Sequence, residues 1–253
     1  TPMHLIEISR SDHPLLKHIL QFAPGTYQHS LQVSNLAEQA AEVIGADALL
    51  TRVGALFHDA GKSSNPSFFI ENQVPGALNT HDGMDPVIAA QTIIQHVTDG
   101  VKLAEKHHLP PRLQDFMREH HGTQVTRYQY NRALEQQNNQ VDKVDIELFR
   151  YPGPKPQTKE TGILMLADGC EARVRAELPK NEEDLRNIVR KVFDFITSQD
   201  LLENTNLTLR DLKTIQESFV TTLSNSYHPR IQYPESNVTT SEKNHTFQVI
   251  EEK

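Results

Sequence analysis

Residues 49–62 read Leu-Leu-Thr-Arg-Val-Gly-Ala-Leu-Phe-His-Asp-Ala-Gly-Lys, and this stretch decides the fold. Leu49, Val53, Leu56 and Phe57 recur at the spacing of one helix face. The apolar run stops at His58 and Asp59, with Gly61 just beyond. The spacing therefore predicts a helix over 47–59 that ends on two groups able to bind a metal ion.

The same periodicity continues on both sides. Leu31, Ala37 and Ile44 mark a helix face upstream, and Gly and Pro divide the chain into expected helices near 12–22, 27–44, 47–59, 86–107, 110–121, 124–138, 158–178, 181–199 and 208–227. Few segments alternate as strands do, so the expected fold is an all-α bundle with long functional loops. The loops are 61–85, punctuated by Gly61, Pro66, Pro75, Gly76 and Gly83, and 139–157, which ends in the stiff run Tyr151-Pro-Gly-Pro-Lys-Pro156. Residues 1–13 read as a lead-in, 14–235 as the domain and 236–253 as a polar, mobile tail. Because the first residue is Thr1 and no signal-like segment follows, the chain reads as part of something longer.

Composition narrows the function. A formal charge of -8 argues against a surface that coats nucleic acid. No run approaches the roughly 20 apolar residues that span a bilayer, so no membrane contact is expected of this chain itself. Cys170 is the only cysteine, which excludes an intramolecular disulfide and a thiolate zinc cluster. Any metal must be held by nitrogen and oxygen.

Donors of that kind stand at expected helix ends: His29, His58-Asp59, and His120-His121 before Gly122. Imidazoles donate nitrogen lone pairs and carboxylates bridge cations and offset their charge, which is the chemistry of a hydrolytic metal site. Asp168, Glu171 and Arg175 fall on one face of the helix expected over 158–178. They read as a ligand, a carboxylate behind a ligand and a phosphate-binding cation, with a plain Glu171–Arg175 surface pair as the competing reading. Lys62, three residues after Asp59, reads either as a cation for phosphoryl charge or as a solvated loop lysine. The second His-Asp pair, His81-Asp82, reads as loop or substrate contact, and His107-His108 as a helix end before Pro110.

The ordered set His29, His58-Asp59-Ala-Gly-Lys62, His96, His120-His121 and Asp168 resembles the signature of HD-domain phosphohydrolases. Over roughly 14–235 the chain is similar to the cytosolic HD domain of the seven-transmembrane-receptor HD family, which includes bacterial cyclic di-AMP phosphodiesterases. The segments that carry this are Pro24-Gly-Thr-Tyr-Gln-His-Ser30, Phe68-Phe-Ile-Glu-Asn-Gln73, His120-His-Gly-Thr123, Tyr151-Pro-Gly-Pro-Lys-Pro-Gln-Thr-Lys-Glu160 and Leu166-Ala-Asp168.

The resemblance implies an HD-domain helical bundle with two divalent transition-metal ions, expected to be iron or manganese. It places one ion on His29, His58, Asp59 and Asp168, and the other on Asp59, His96, His120 and His121, with Asp59 bridging. Such a pair, roughly 3.5–4 Å apart, acidifies a shared water and clamps phosphate oxygens. Asp59 and Lys62 would be catalytic, and Lys62, Thr123, Arg175 and Tyr27 would contact substrate. Tyr27, Phe68, Phe69, Tyr128, Tyr130 and Tyr151 offer surfaces for adenines. The implied reaction is hydrolysis of cyclic di-AMP to pApA, in the cytoplasmic domain of a bacterial integral membrane protein whose transmembrane and sensory parts lie elsewhere.

His120-His121 continues as Gly122-Thr123-Gln124, without the Gly-Tyr-Pro of the enzymes that cleave cyclic di-GMP. The rival readings are a phosphohydrolase for cyclic di-GMP, a dNTP or guanosine tetraphosphate, and a non-catalytic nucleotide-sensing module.

Overall fold

The computed structural model describes residues 1–73 and 83–227. They form ten α-helices: α1 (Pro2–Ile8), α2 (Pro14–Phe22), α3 (Pro24–Val43), α4 (Ala48–Phe57), α5 (Pro86–Lys106), α6 (Pro111–Glu119), α7 (Arg127–Gln136), α8 (Lys159–Glu177), α9 (Glu182–Ser198) and α10 (Leu209–Tyr227). Among the described residues there is no strand, only an isolated antiparallel bridge between Val125 and Arg150. Local chemistry sets many of the ends. Proline opens α2, α3, α5 and α6, where its missing N–H costs nothing. The Asp47 and Thr158 side chains accept from the first turns of α4 and α8.

Two apolar clusters share α4. Ala55 belongs to a large cluster built from α3, α8, α9 and α10, while Val53, Leu56 and Phe57 face a second one made with α1, α2 and α6. Thr51 and every residue from Val53 to Phe57 are buried. A helix wet on neither side holds its C-terminal residues deep in the molecule, and those residues are His58 and Asp59. Gly54 permits this packing, because a Cβ there would lie 2.3 Å from the Phe116 ring of α6. Helix α8 is buried from Thr161 to Ala167 and again at Cys170, Glu171 and Val174, so it too is apolar on most sides and runs through the bundle centre.

Three expectations are corrected or bounded. The lead-in 1–13 contains α1, whose Ile8 is 4% exposed and packs into the second cluster while most of the segment stays exposed, so it is anchored to the domain rather than a free lead-in. Its short apolar spacing over Leu5 and Ile8 was too brief to register as a helix. The segment expected as helix from 124 starts at Arg127, because Gln124 and Thr126 instead bond the second loop: Tyr151 N–H donates to Gln124 O at 2.8 Å and Thr126 N–H to Phe149 O at 2.8 Å. That pairing fastens residues 149–151 beside His121. His81-Asp82, His228 and the tail 236–253 lie outside the described residues.

Candidate metal centre

Five elements meet at the end of α4. Its C-cap is His58 and the next residue is Asp59, followed by a 3₁₀ turn at Ala60–Ser64. Helix α5 passes so close to this turn that a Cβ on Gly61 would lie 1.8 Å from His96 O. Glycine is therefore required for His96 to approach Asp59. Helix α6 ends at His120 and His121, and Gly122 turns the chain away at a φ of +52°. Helix α3 brings His29 and α8 brings Asp168.

Local hydrogen bonds aim the imidazoles. Nδ1 of His58, His96 and His120 lies 2.7, 2.6 and 2.9 Å from the carbonyl oxygens of Ala55, Ile93 and Met117. A carbonyl only accepts, so each Nδ1 donates a proton to it and each Nε2 is turned inward, where its lone pair can bind a cation once the ring is neutral. His29 is oriented from behind by Glu171, whose Oε2 meets His29 Nδ1.

Asp59 stands where these atoms converge. Its Oδ1 is 3.4 Å from His96 Nε2 and 3.5 Å from His120 Nε2, while its Oδ2 is 3.2 Å from His58 Nε2 and 3.7 Å from His29 Nε2. Asp168 Oδ1 lies 2.9 Å from His29 Nε2 and 3.8 Å from His58 Nε2. Two four-residue groups result, His29, His58, Asp59 and Asp168, and Asp59, His96, His120 and His121, each with ligand atoms within 4.8 Å of one another. These are the two sets that the resemblance implies, brought together by five separate stretches of chain.

The atoms at the centre ask for a cation. His58 Nε2 and both carboxylate oxygens of Asp59 are buried without a hydrogen-bond partner. Such atoms carry an uncompensated desolvation cost. His96 Nε2 and His120 Nε2 face each other at 3.2 Å, two acceptors when both rings are neutral. Lys62 Nζ, 2.8 Å from Asp59 Oδ2, supplies charge as an ion pair without an aligned hydrogen bond. The donor set fits one divalent ion in each group.

Protonation differs between the groups. Burial pushes His29 and His58 down, but Asp168 and Glu171 outweigh it at His29, raising it to about 8, and Asp59 and Asp168 outweigh it at His58, raising it to about 10. His120 and His121 are lowered by burial and by neighbouring imidazoles. Asp59 and Asp168 lie well below the usual carboxylate range: burial would raise them, but His58 and Lys62 prevail at Asp59, and His29 and His58 at Asp168.

The other expected residues divide. Lys62 joins the centre, 14% exposed and held by Asp59 and by Glu71 Oε1 at 2.9 Å, which rules out a solvated loop lysine. Glu171 meets His29 and also accepts from Arg175 Nε at 3.3 Å, a pair whose carboxylate is buried rather than on the surface. Thr123 lies beside the centre in sequence, but its carbonyl takes Arg150 Nη1 at 2.9 Å. Tyr27, two residues before His29 and half-buried, packs against the second apolar cluster. Of the six aromatics proposed for adenine, Tyr151 stacks on His121 at 4.3 Å between ring centroids and Phe69 meets His96 edge-on at 5.6 Å. Phe68 and Tyr130 are core, and Tyr128 is exposed.

Sequence reasoning missed Glu71. It takes Lys62 and also Thr26 Oγ1 at 3.2 Å, tying the 70–72 turn to α3. The only signal was its place in the Phe68–Gln73 segment.

The HD domain family matches residues 26–173. The chain is 42% identical over 234 residues to a Bacillus subtilis protein named cyclic-di-AMP phosphodiesterase PgpH, covering 92% of this chain and 32% of the relative. It is 39% identical over 235 residues to the Listeria monocytogenes protein of that name, covering 93% and 32%. It thus spans about a third of the length of these relatives. The crystal structure of the L. monocytogenes PgpH HD domain superposes with a TM-score of 0.80 at 37% identity, covering 86% of this chain and 100% of that one. A crystal structure of the same domain in complex with cyclic-di-AMP gives a TM-score of 0.81 at 37% identity, covering 87% and 100%.

Proposed function

The chain belongs to the HD domain family, and from that membership we propose that it is a metal-dependent phosphodiesterase that opens cyclic di-AMP to pApA. The observation that carries this reading is the convergence of two donor groups on the one buried carboxylate of Asp59, whose oxygens lack partners of their own. The names of the similar proteins, and the cyclic-di-AMP bound in one similar structure, support the substrate.

In this reading His29, His58, Asp59 and Asp168 hold one ion, and Asp59, His96, His120 and His121 the other. When bound, two such ions acidify water and neutralise charge on a phosphoryl group. Imidazole and carboxylate donors suit iron or manganese. Around them the protein fixes geometry. Backbone carbonyls hold three imidazoles, Glu171 holds a fourth, and the buried walls exclude bulk water, which strengthens every charge interaction inside. Lys62 keeps an ammonium at the centre to balance negative charge as it builds. The chemistry consumes one water, breaks one phosphodiester P–O bond, and leaves a terminal phosphate and a free hydroxyl.

The reading includes a longer parent chain whose membrane-spanning and sensory parts lie outside this piece. Support comes from the 32% share of each relative that is matched, and no helix of the described residues is long and apolar enough to cross a membrane. A substrate panel with chromatographic product identification tests the assignment. Metal-dependent conversion of cyclic di-AMP to pApA is expected, and faster turnover of cyclic di-GMP or a dNTP under matched conditions overturns it.

A further inference from the structure

Two cavities adjoin the centre, and they differ in charge. One, of about 310 Å³, lies beside His29 and is lined by Glu71, Glu171 and Arg175 among others. Its cation is already engaged, since Arg175 binds Glu171, and its two carboxylates repel phosphate. The other, of about 250 Å³, lies between α8 and α9 and borders His121 and Asp168. Those two residues come from different donor groups, and each is the one ligand of its group that is not fully buried. This cavity therefore borders both donor groups.

The walls of the second cavity suit a nucleotide. Lys191 lines it, and no carboxylate among the described residues pairs with its ammonium, whereas the neighbouring Arg173 is bound by Glu177. Phe195 lines it as well and is 42% exposed, although Val192 and Ile196 on the same helix are buried. A large aromatic left open beside an unpaired cation is the combination that takes a base and a phosphate. The volume falls just under the roughly 300–1,000 Å³ of a whole-ligand pocket, which fits half of a dinucleotide.

We propose that this α8–α9 cavity is the subsite for the half of the cyclic dinucleotide that is not being hydrolysed, with Lys191 on its phosphate and Phe195 under its base. The inference rests on the cyclic di-AMP reading above and extends it to two residues outside the metal centre.

Steady-state kinetics on the metal-loaded protein test it, with cyclic di-AMP and, as a diester lacking a second nucleotide, bis-p-nitrophenyl phosphate. For Lys191→Gln and for Phe195→Ala, KM for cyclic di-AMP should rise about tenfold with kcat within about twofold, the size expected for one charge-assisted bond or one stacked base. Preference for cyclic di-AMP over the small diester should fall by the same factor, and Lys191→Arg should restore KM. Metal content and helical circular dichroism should match wild type. Unchanged KM in both variants overturns the subsite, as does an equal loss on both diesters, which would place the residues at the reacting phosphate or in the fold. A wild-type protein that cleaves only the small diester overturns the cyclic di-AMP reading and the subsite together.

Discussion

The two halves of the candidate metal centre share Asp59 yet are built on opposite principles. The half with His29, His58 and Asp168 adds a second carboxylate, and its imidazoles are held protonated near neutrality by the carboxylates they face. The half with His96, His120 and His121 adds no acid, and its His120 and His121 are held neutral by burial among other imidazoles. One half balances an ion's charge, and the other offers lone pairs at little proton cost. A cation entering the first half competes with protons at His29 and His58, a competition that burial eases at His120 and His121 in the second.

The strongest test removes what the halves share. Asp59→Ala should abolish turnover and leave neither ion bound, because no other carboxylate borders both groups. A metal-replete, active Asp59→Ala protein, folded by circular dichroism, would sink the bridging role. Separating the halves comes next. Asp168→Ala should bring metal content from near two ions per chain to near one, since the group of Asp59, His96, His120 and His121 is untouched. Loss of both ions would mean that the halves do not fill independently.

Lys62 probes charge rather than ligation. Lys62→Ala should keep its metal while turnover falls roughly 10²–10³-fold, the cost of one lost transition-state charge contact. Unchanged kinetics would leave Lys62 as a structural partner of Glu71 and Asp59 only. The mildest effect should come from Glu171→Gln, which weakens the acceptor behind His29 Nδ1. Outer-shell partners of this kind commonly change metal affinity by about 10–100-fold. Titration of each ion should place that loss in the Asp168 half alone, and an equal weakening in both halves would erase the asymmetry.

Much of this was legible in the sequence because helices are local. The period of Leu49, Val53, Leu56 and Phe57, and the prolines that open α2, α3, α5 and α6, act over one or two turns, so nine of the helices could be placed to within a few residues. The composition excluded thiolate metal sites through the single Cys170. The candidate ligands could be named because their order resembles a family signature, while spacing alone offered only isolated histidines at helix ends.

What the tertiary structure alone decided is how distant residues meet. Gly61 admits α5 to the His58-Asp59 turn, Glu71 crosses from its own turn to Lys62 and Thr26, and α1 covers the second apolar cluster. Lys191 and Phe195 carry no motif and come to the His121–Asp168 cavity only because α9 packs on α8. The physical reason is the range of the forces. Turn chemistry and side-chain period act between neighbours and are written along the chain, whereas burial, desolvation and the approach of one carboxylate to four imidazoles depend on residues brought together from distant stretches of chain by the packing of the whole bundle.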